Sequence, residues 1–112
     1  MKIKPVRKVQ KGDYMRILLC CNAGMSSSIL VKKIGEAAEK RGMDLTITAV
    51  PNAAIREEVG KWDVCLVGPQ LVYAVANIKS VLNIPVASVE PRIYALADGD
   101  KALDFAISLM EG

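Results

Sequence analysis

The stretch RILLCCNAGMSSSIL, residues 16–30, decides how the chain is read. After Arg16 it is apolar without a break from Ile17 to Cys21, as a strand covered on both faces would be. A run of mostly small or polar residues follows, Asn22 to Ser28. Then Ile29, Leu30, Ile34, Ala37 and Ala38 recur at helical spacing to about Arg41, and Gly42 stands where such a helix stops. Strand, tight loop, helix is one half of a βαβ unit.

The rest of the chain repeats that alternation. In DLTITAV, residues 44–50, Leu45, Ile47 and Ala49 alternate with Thr46 and Thr48, which is strand spacing. Asn52 is placed to cap a short helix running to about Gly60. DVCLVG, residues 63–68, reads as a third strand, broken by Gly68-Pro69, and Leu71 to Leu82 reads as helix. IPVASV, residues 84–89, is a fourth strand. Asp100 is placed to cap a last helix through Leu103, Ala106, Ile107 and Met110.

This βαβαβαβα order with short connections predicts a single three-layer α/β domain, with a parallel sheet, right-handed crossovers and helices on both faces. The continuous apolar strands, 17–21 and 64–67, belong in the centre and the alternating strand 45–49 at an edge, which gives the order 2-1-3-4. That order puts a topological switch point between the first and third strands, where open parallel sheets bind ligands at the carboxyl ends. The loops meeting there are residues 21–28 and Gly68-Pro69-Gln70.

Composition narrows the chemistry. The chain has 112 residues, 52% of them hydrophobic, enough for one domain with a real core. Aromatics are only 4%, which disfavours base stacking. Of the net charge of +3, residues 1–14 carry +4, from Lys2, Lys4, Arg7, Lys8 and Lys11 against Asp13. The remainder, with 10 basic and 11 acidic residues, is −1. The expectation is a basic, flexible leader over 1–14 and a near-neutral domain over 15–112 that does not bind nucleic acid. No apolar run is long enough to span a membrane, and the N-terminus lacks a signal-peptide core, so a cytoplasmic protein is expected.

Three cysteines and no histidine suggest free thiols in a reducing compartment. Cys20, Cys21 and Cys65 lack zinc-site spacing, so neither a metal nor another cofactor is expected. Without histidine there is no internal Cys–His pair either. The loop offers other chemistry. Gly24 permits a positive φ, and successive amides from Asn22, Ala23, Gly24, Met25, Ser26, Ser27 and Ser28 can converge at the helix start as a cradle for a phosphate dianion. The same field favours a thiolate at the loop entrance. Pleat alternation turns Cys20 beneath a covering helix, while Cys21, last in the strand, can enter the loop. Cys65 lies inside the third strand and reads as core. Met25 and Leu71 are candidates for an apolar contact patch beside the loop.

The run Cys21-Asn22-Ala23-Gly24-Met25-Ser26-Ser27-Ser28 resembles the phosphocysteine loop of the IIB components of the bacterial sugar phosphotransferase system, in the cellobiose–chitobiose type of the lactose/chitobiose class. GPQLVY at 68–73 and DGDKALDFAISLM at 98–110 are similar to that family as well, and the likeness runs from about Met15 to the C-terminus. Ile93-Tyr94-Ala95 departs from it, since the cellobiose type often has Asp-Tyr-Gly there. The resemblance implies a relay. A IIA partner carries a phosphoryl group on histidine, the loop cysteine takes it, and a sugar bound to the membrane IIC component receives it. On this sequence it implies Cys21 as nucleophile, residues 22–28 as cradle, and Gln70 and Tyr73 as rim residues. The sugar expected is a β-glucoside-type disaccharide.

Two other readings compete. A Cys-loop phosphatase holds the phosphoryl group with an arginine six residues after its cysteine, where this chain has Ser27 after Cys21 and Ser26 after Cys20. A non-catalytic anion- or flavin-binding module would use the serine-rich loop without needing Cys21. Trp62, before its strand, and Tyr94, after the fourth, do not supply two walls for an isoalloxazine ring.

Overall fold

The computed structural model describes residues 14–21 and 26–111. The elements are β1 (Tyr14–Cys21), α1 (Ser26–Lys40), β2 (Asp44–Pro51), a 3-10 helix (Asn52–Glu58), β3 (Val64–Val67), a second 3-10 helix (Pro69–Ala74) continuing into α2 (Val75–Leu82), β4 (Val86–Ser88), α3 (Pro91–Ala95) and α4 (Gly99–Glu111). All strand pairings are parallel and the sheet order is β2-β1-β3-β4, as the apolar patterning predicts.

The pleat divides the core into two. Met15, Ile17 and Leu19 of β1, with Val64 and Leu66 of β3, face Leu30, Ile34 and Ala37 of α1 and Ala102, Leu103 and Ala106 of α4. Leu18 and Cys20, with Cys65 and Val67, face Ile55 of the first 3-10 helix and Leu71, Ala74, Ile78 and Leu82 above β3. β1 and β3 are therefore apolar at every position because both faces are covered. Each such fully buried Leu or Ile contributes about 1.5–3 kcal/mol relative to exposure.

The termini of the helices follow local chemistry. α1 ends in a Schellman motif, with Met43 N–H donating to Ala38 O at 2.9 Å, Gly42 N–H donating to Glu39 O at 3.1 Å, and Gly42 at φ 69°. The cap of α4 differs from expectation. Its amide at Lys101 donates to Asp98 Oδ1 at 3.1 Å, so Asp98 is the capping residue and Asp100 lies inside the helix. Starting α4 at Gly99 lets it approach α1 without a Cβ between them, which is why the start shifts by two residues. Asp100 instead accepts from Arg41 at 3.3 Å, beside the shorter Arg41–Asp104 pair at 2.7 Å.

Three further details depart from the sequence reading. The segment after β2 is a 3-10 helix whose capping position falls on Pro51, extended at φ −74° and ψ 156°, with Asn52 taken into the first turn. The helix expected over 71–82 is 3-10 to Ala74 and regular only beyond it, because Leu71 sits at φ −111° and ψ 21°. β1 takes in Tyr14, one residue before the expected boundary at Met15, since Tyr14 pairs with Asp44 and its hydroxyl meets Thr46. Residues 1–13 lie outside the described residues.

Candidate functional site

The carboxyl ends of β1 and β3 lie side by side at the switch point. Cys20 pairs with Val67, and the Gly68 amide donates to the Cys20 carbonyl at 2.9 Å, so the loops after the two strands leave from adjacent positions. Cys21 ends β1 opposite Pro51 of β2. It is 4% exposed, and its Sγ lies 3.9 Å from the carbonyl oxygen of Val50.

The three thiols are not equivalent. Cys20 and Cys65 are fully buried on the face covered by the first 3-10 helix and α2. Burial pushes the Cys20 thiol up to about 11, with the neighbouring Cys21 adding to the rise. Burial pushes Cys65 up to about 12, with Cys20 adding to it. Both remain neutral thiols at physiological pH, as expected for small hydrophobes. By the same alternation Cys21 takes the face of Leu19, opposite to that of Cys20. All three cysteines are free.

The loop expected to form the cradle falls partly outside the described residues, at Asn22, Ala23, Gly24 and Met25. Its remaining members, Ser26, Ser27 and Ser28, form the first turn of α1, and no acidic side chain in that turn offsets the positive end of the helix. The start of a 15-residue helix is thus reached within five residues of Cys21, the arrangement in which backbone amides receive an anion.

Of the two expected rim residues, Gln70 is exposed and folds back over β3's end, its Oε1 lying 3.0 Å from where a Cβ on Gly68 would be. Tyr73, on the same 3-10 helix, is 78% exposed and directed outward. Leu71 is core rather than contact patch, at 2% exposure, because the 3-10 turn points it at Ile55 and Ile78 and turns Val72 and Tyr73 to the surface instead. A residue that sequence reasoning missed is Tyr94 of α3. Its Cε1 and Cζ lie 3.5 and 3.7 Å from the same Gly68 Cβ position, so its ring covers the end of β3. The signal was a lone tyrosine in an apolar turn just after the fourth strand, at the same edge of the sheet.

Among the described residues, two grooves lie away from Cys21, one of ≈ 550 Å³ between α1 and β2 and one of ≈ 370 Å³ between α1 and the start of α4. Among the described residues, no group of His, Cys, Asp and Glu is arranged to hold a metal ion, and no helix is long and apolar enough to cross a membrane.

Residues 16–105 match the family described as PTS system, lactose/cellobiose specific IIB subunit. The chain belongs to that family. It is, by that membership, a sugar-specific IIB component of a phosphotransferase system. Among its relatives, the oligo-beta-mannoside-specific EIIB component of Bacillus subtilis is 38% identical over 98 residues, which cover 85% of this chain and 95% of the relative. The cellobiose-specific EIIB component of Lactococcus lactis is 36% identical over 102 residues, covering 84% and 94%. A cellobiose-specific IIB component from Borrelia burgdorferi, solved in solution, superposes with a TM-score of 0.72 at 32% identity, over 87% of this IIB chain and 92% of its own. The lactose-specific IIB domain of Streptococcus pneumoniae shares the fold, with a TM-score of 0.74 at 19% identity, over 85% and 96%.

Proposed function

We propose that this IIB component carries a phosphoryl group on Cys21, taking it from a phosphohistidine of a IIA partner and delivering it to a sugar held by a membrane IIC component. The observation that supports this most directly is the difference among the cysteines. Cys20 and Cys65 are sealed in the core beneath α2, whereas Cys21 is the last residue of a central strand, at the switch point and one short loop before the start of α1.

In the first step the Cys21 thiol loses its proton to water, and the thiolate sulfur attacks the phosphorus of the phosphohistidine. The S–P bond forms as the P–N bond breaks, and the imidazole leaves with the bonding pair and takes up a proton. In the second step a sugar hydroxyl oxygen attacks the same phosphorus. The O–P bond forms, the S–P bond breaks, and the hydroxyl proton is released. The chain has no histidine of its own, so the donor imidazole belongs to the partner. The amides and hydroxyls of residues 22–28 would hold the phosphoryl oxygens, with Gln70 and Tyr73 at the rim. The absence of an arginine six residues on suits a carrier, because a fixed guanidinium would stabilise the charge that develops on hydrolysis.

The sugar class proposed is a β-glucoside-type disaccharide of the cellobiose or chitobiose kind, in line with relatives named for cellobiose and for oligo-beta-mannosides. The protein would work on the cytoplasmic side, meeting the membrane through IIC. The test is intact mass of the chain after incubation with the general phosphotransfer proteins and a IIA partner, followed by peptide mapping. A single phosphoryl group on Cys21 is expected. A phosphoryl group on Cys20, or on no cysteine, overturns the reading.

A further inference from the structure

The Cys21 sulfur is held where no phosphoryl group can join it. The residue is 4% exposed, and its Sγ lies 3.9 Å from the carbonyl oxygen of Val50, with the thiol as donor. A phosphoryl group cannot stand in a gap of that width, and a histidine of another protein cannot reach a covered sulfur. Transfer therefore needs a second position of the side chain.

β2 offers Cys21 an acceptor and no donor. A carbonyl oxygen receives a thiol proton, whereas a thiolate or a phosphorylated sulfur has no proton to give and is repelled by the negative end of the C=O dipole. Pro51 stands opposite Cys21 in the ladder and, being proline, has no amide hydrogen with which to meet an anion. The free amides lie the other way, at the start of α1, five residues on. Val50 and the start of α1 thus favour opposite states of one sulfur. Moving between them takes no shift of the sheet, because neighbouring χ1 wells of a single side chain are about 120° apart.

From this geometry we propose that Val50 is a positioning residue of the transfer site. Its carbonyl holds the Cys21 thiol in the unloaded carrier, and χ1 of Cys21 turns by about 120° as the sulfur takes the phosphoryl group, carrying it from Val50 to the side of α1. The thiol proton passes to water as the contact breaks. The unloaded carrier thereby covers its nucleophile, and the loaded one presents its cargo to the acceptor. The proposal rests on Cys21 being the phosphorylated residue.

Val50-Pro51 is the one Val-Pro step in the sequence. The full chain, with valine labelled at its carbonyl carbon and proline at its nitrogen, therefore gives a single carbonyl–nitrogen correlation. On phosphorylation by a IIA partner that signal should move upfield, as a carbonyl carbon does on losing a donor. Cys21→Ala, which has no thiol, should move it the same way without any phosphoryl group. Three-bond couplings in the wild type, which need no variant, should place χ1 of Cys21 in one staggered well before phosphorylation and in another after it. A phosphoryl group on Cys21 with an unmoved χ1, or a carbonyl signal that Cys21→Ala leaves in place, overturns the role of Val50 alone. Absence of a phosphoryl group from Cys21 in the wild type overturns both readings.

Discussion

Gly99, the first residue of α4, lies against the backbone of Lys33 in the middle of α1. A Cβ at this position would overlap the Lys33 carbonyl and come within 2.8 Å of the Ile34 amide nitrogen. Both obstacles are helix backbone and cannot swing aside as a side-chain end could. Gly99→Ala must therefore push the helices apart along the contact that buries Ile34, Ala102 and Leu103. The expected cost is about 1–3 kcal/mol. Thermal unfolding followed by circular dichroism would show it as a midpoint lowered by several degrees. An unchanged midpoint would mean that the two helices separate freely.

Arg16 and Asp63 lock the amino end of the β1–β3 pair. Asp63 Oδ2 accepts the Arg16 amide at 3.0 Å, standing in for a strand carbonyl, and Oδ1 accepts the guanidinium Nη2 at 2.7 Å. The side-chain bond to Arg16 lowers the Asp63 carboxyl below its ordinary value, and the backbone bond adds to this against the cost of burial. A folded value below the unfolded one means stability that is present above the unfolded value and is lost as pH falls through the folded one. Asp63→Asn should melt a few degrees below the wild type at pH 7. The gap should close below about pH 3, under the ordinary carboxylate range. Paired melting curves at the two pH values measure this, and a gap that persists in acid would remove the pair from the account.

The alternation of elements and the strand order were legible because both rest on side-chain period. Ile17 to Cys21 and Val64 to Val67 are apolar at every position because two layers cover them, and Leu45, Ile47 and Ala49 alternate because β2 is an edge. What escaped is what tertiary contact decides. α3 is only five residues, too short for a periodic signal, and Tyr94 is buried by its neighbours rather than by a pattern of its own. The cap of α4 passed from Asp100 to Asp98 because of the close approach at Gly99, which no local propensity records. At the site, strand parity put Cys20 and Cys21 on opposite faces of the sheet, and Cys20 lies in the cluster beneath α2 as that parity implies. Leu71 could not be separated from Val72, because a 3-10 turn does not keep the spacing of the α-helix expected there.

Cys20 and Cys65 should make the fold sensitive to alkali. Burial raises both thiols, to about 11 and about 12. In the unfolded chain they ionise near about 8.5. A raised folded value gives stability that is complete below the unfolded value and is lost as pH rises through the folded one. Thermal midpoints should therefore begin to fall above about pH 8.5 and continue downward toward pH 11–12. The Cys20→Ala, Cys65→Ala double variant should show a shallower decline, whatever its stability at pH 7. Equal slopes for the two proteins would assign the alkaline loss to other groups.

Replacing each of the adjacent cysteines by serine should separate chemistry from packing. Cys20 lies fully buried between Leu18, Val67 and Leu71, so Cys20→Ser places a hydroxyl in an apolar site at a cost of about 1–3 kcal/mol. The fraction that folds should accept a phosphoryl group from IIA as the wild type does, because the Cys20 side chain faces away from the loop. Cys21→Ser keeps nearly the same shape where the strand opens into that loop, so it should retain the thermal midpoint within a degree or two. It should take up no phosphoryl group, since an alkoxide is far harder to form at neutral pH than a thiolate. Melting curves and intact masses measured on the same two preparations read both effects at once. Full acceptance by Cys21→Ser, or a transfer defect in folded Cys20→Ser, would reverse the roles assigned to the two sulfurs.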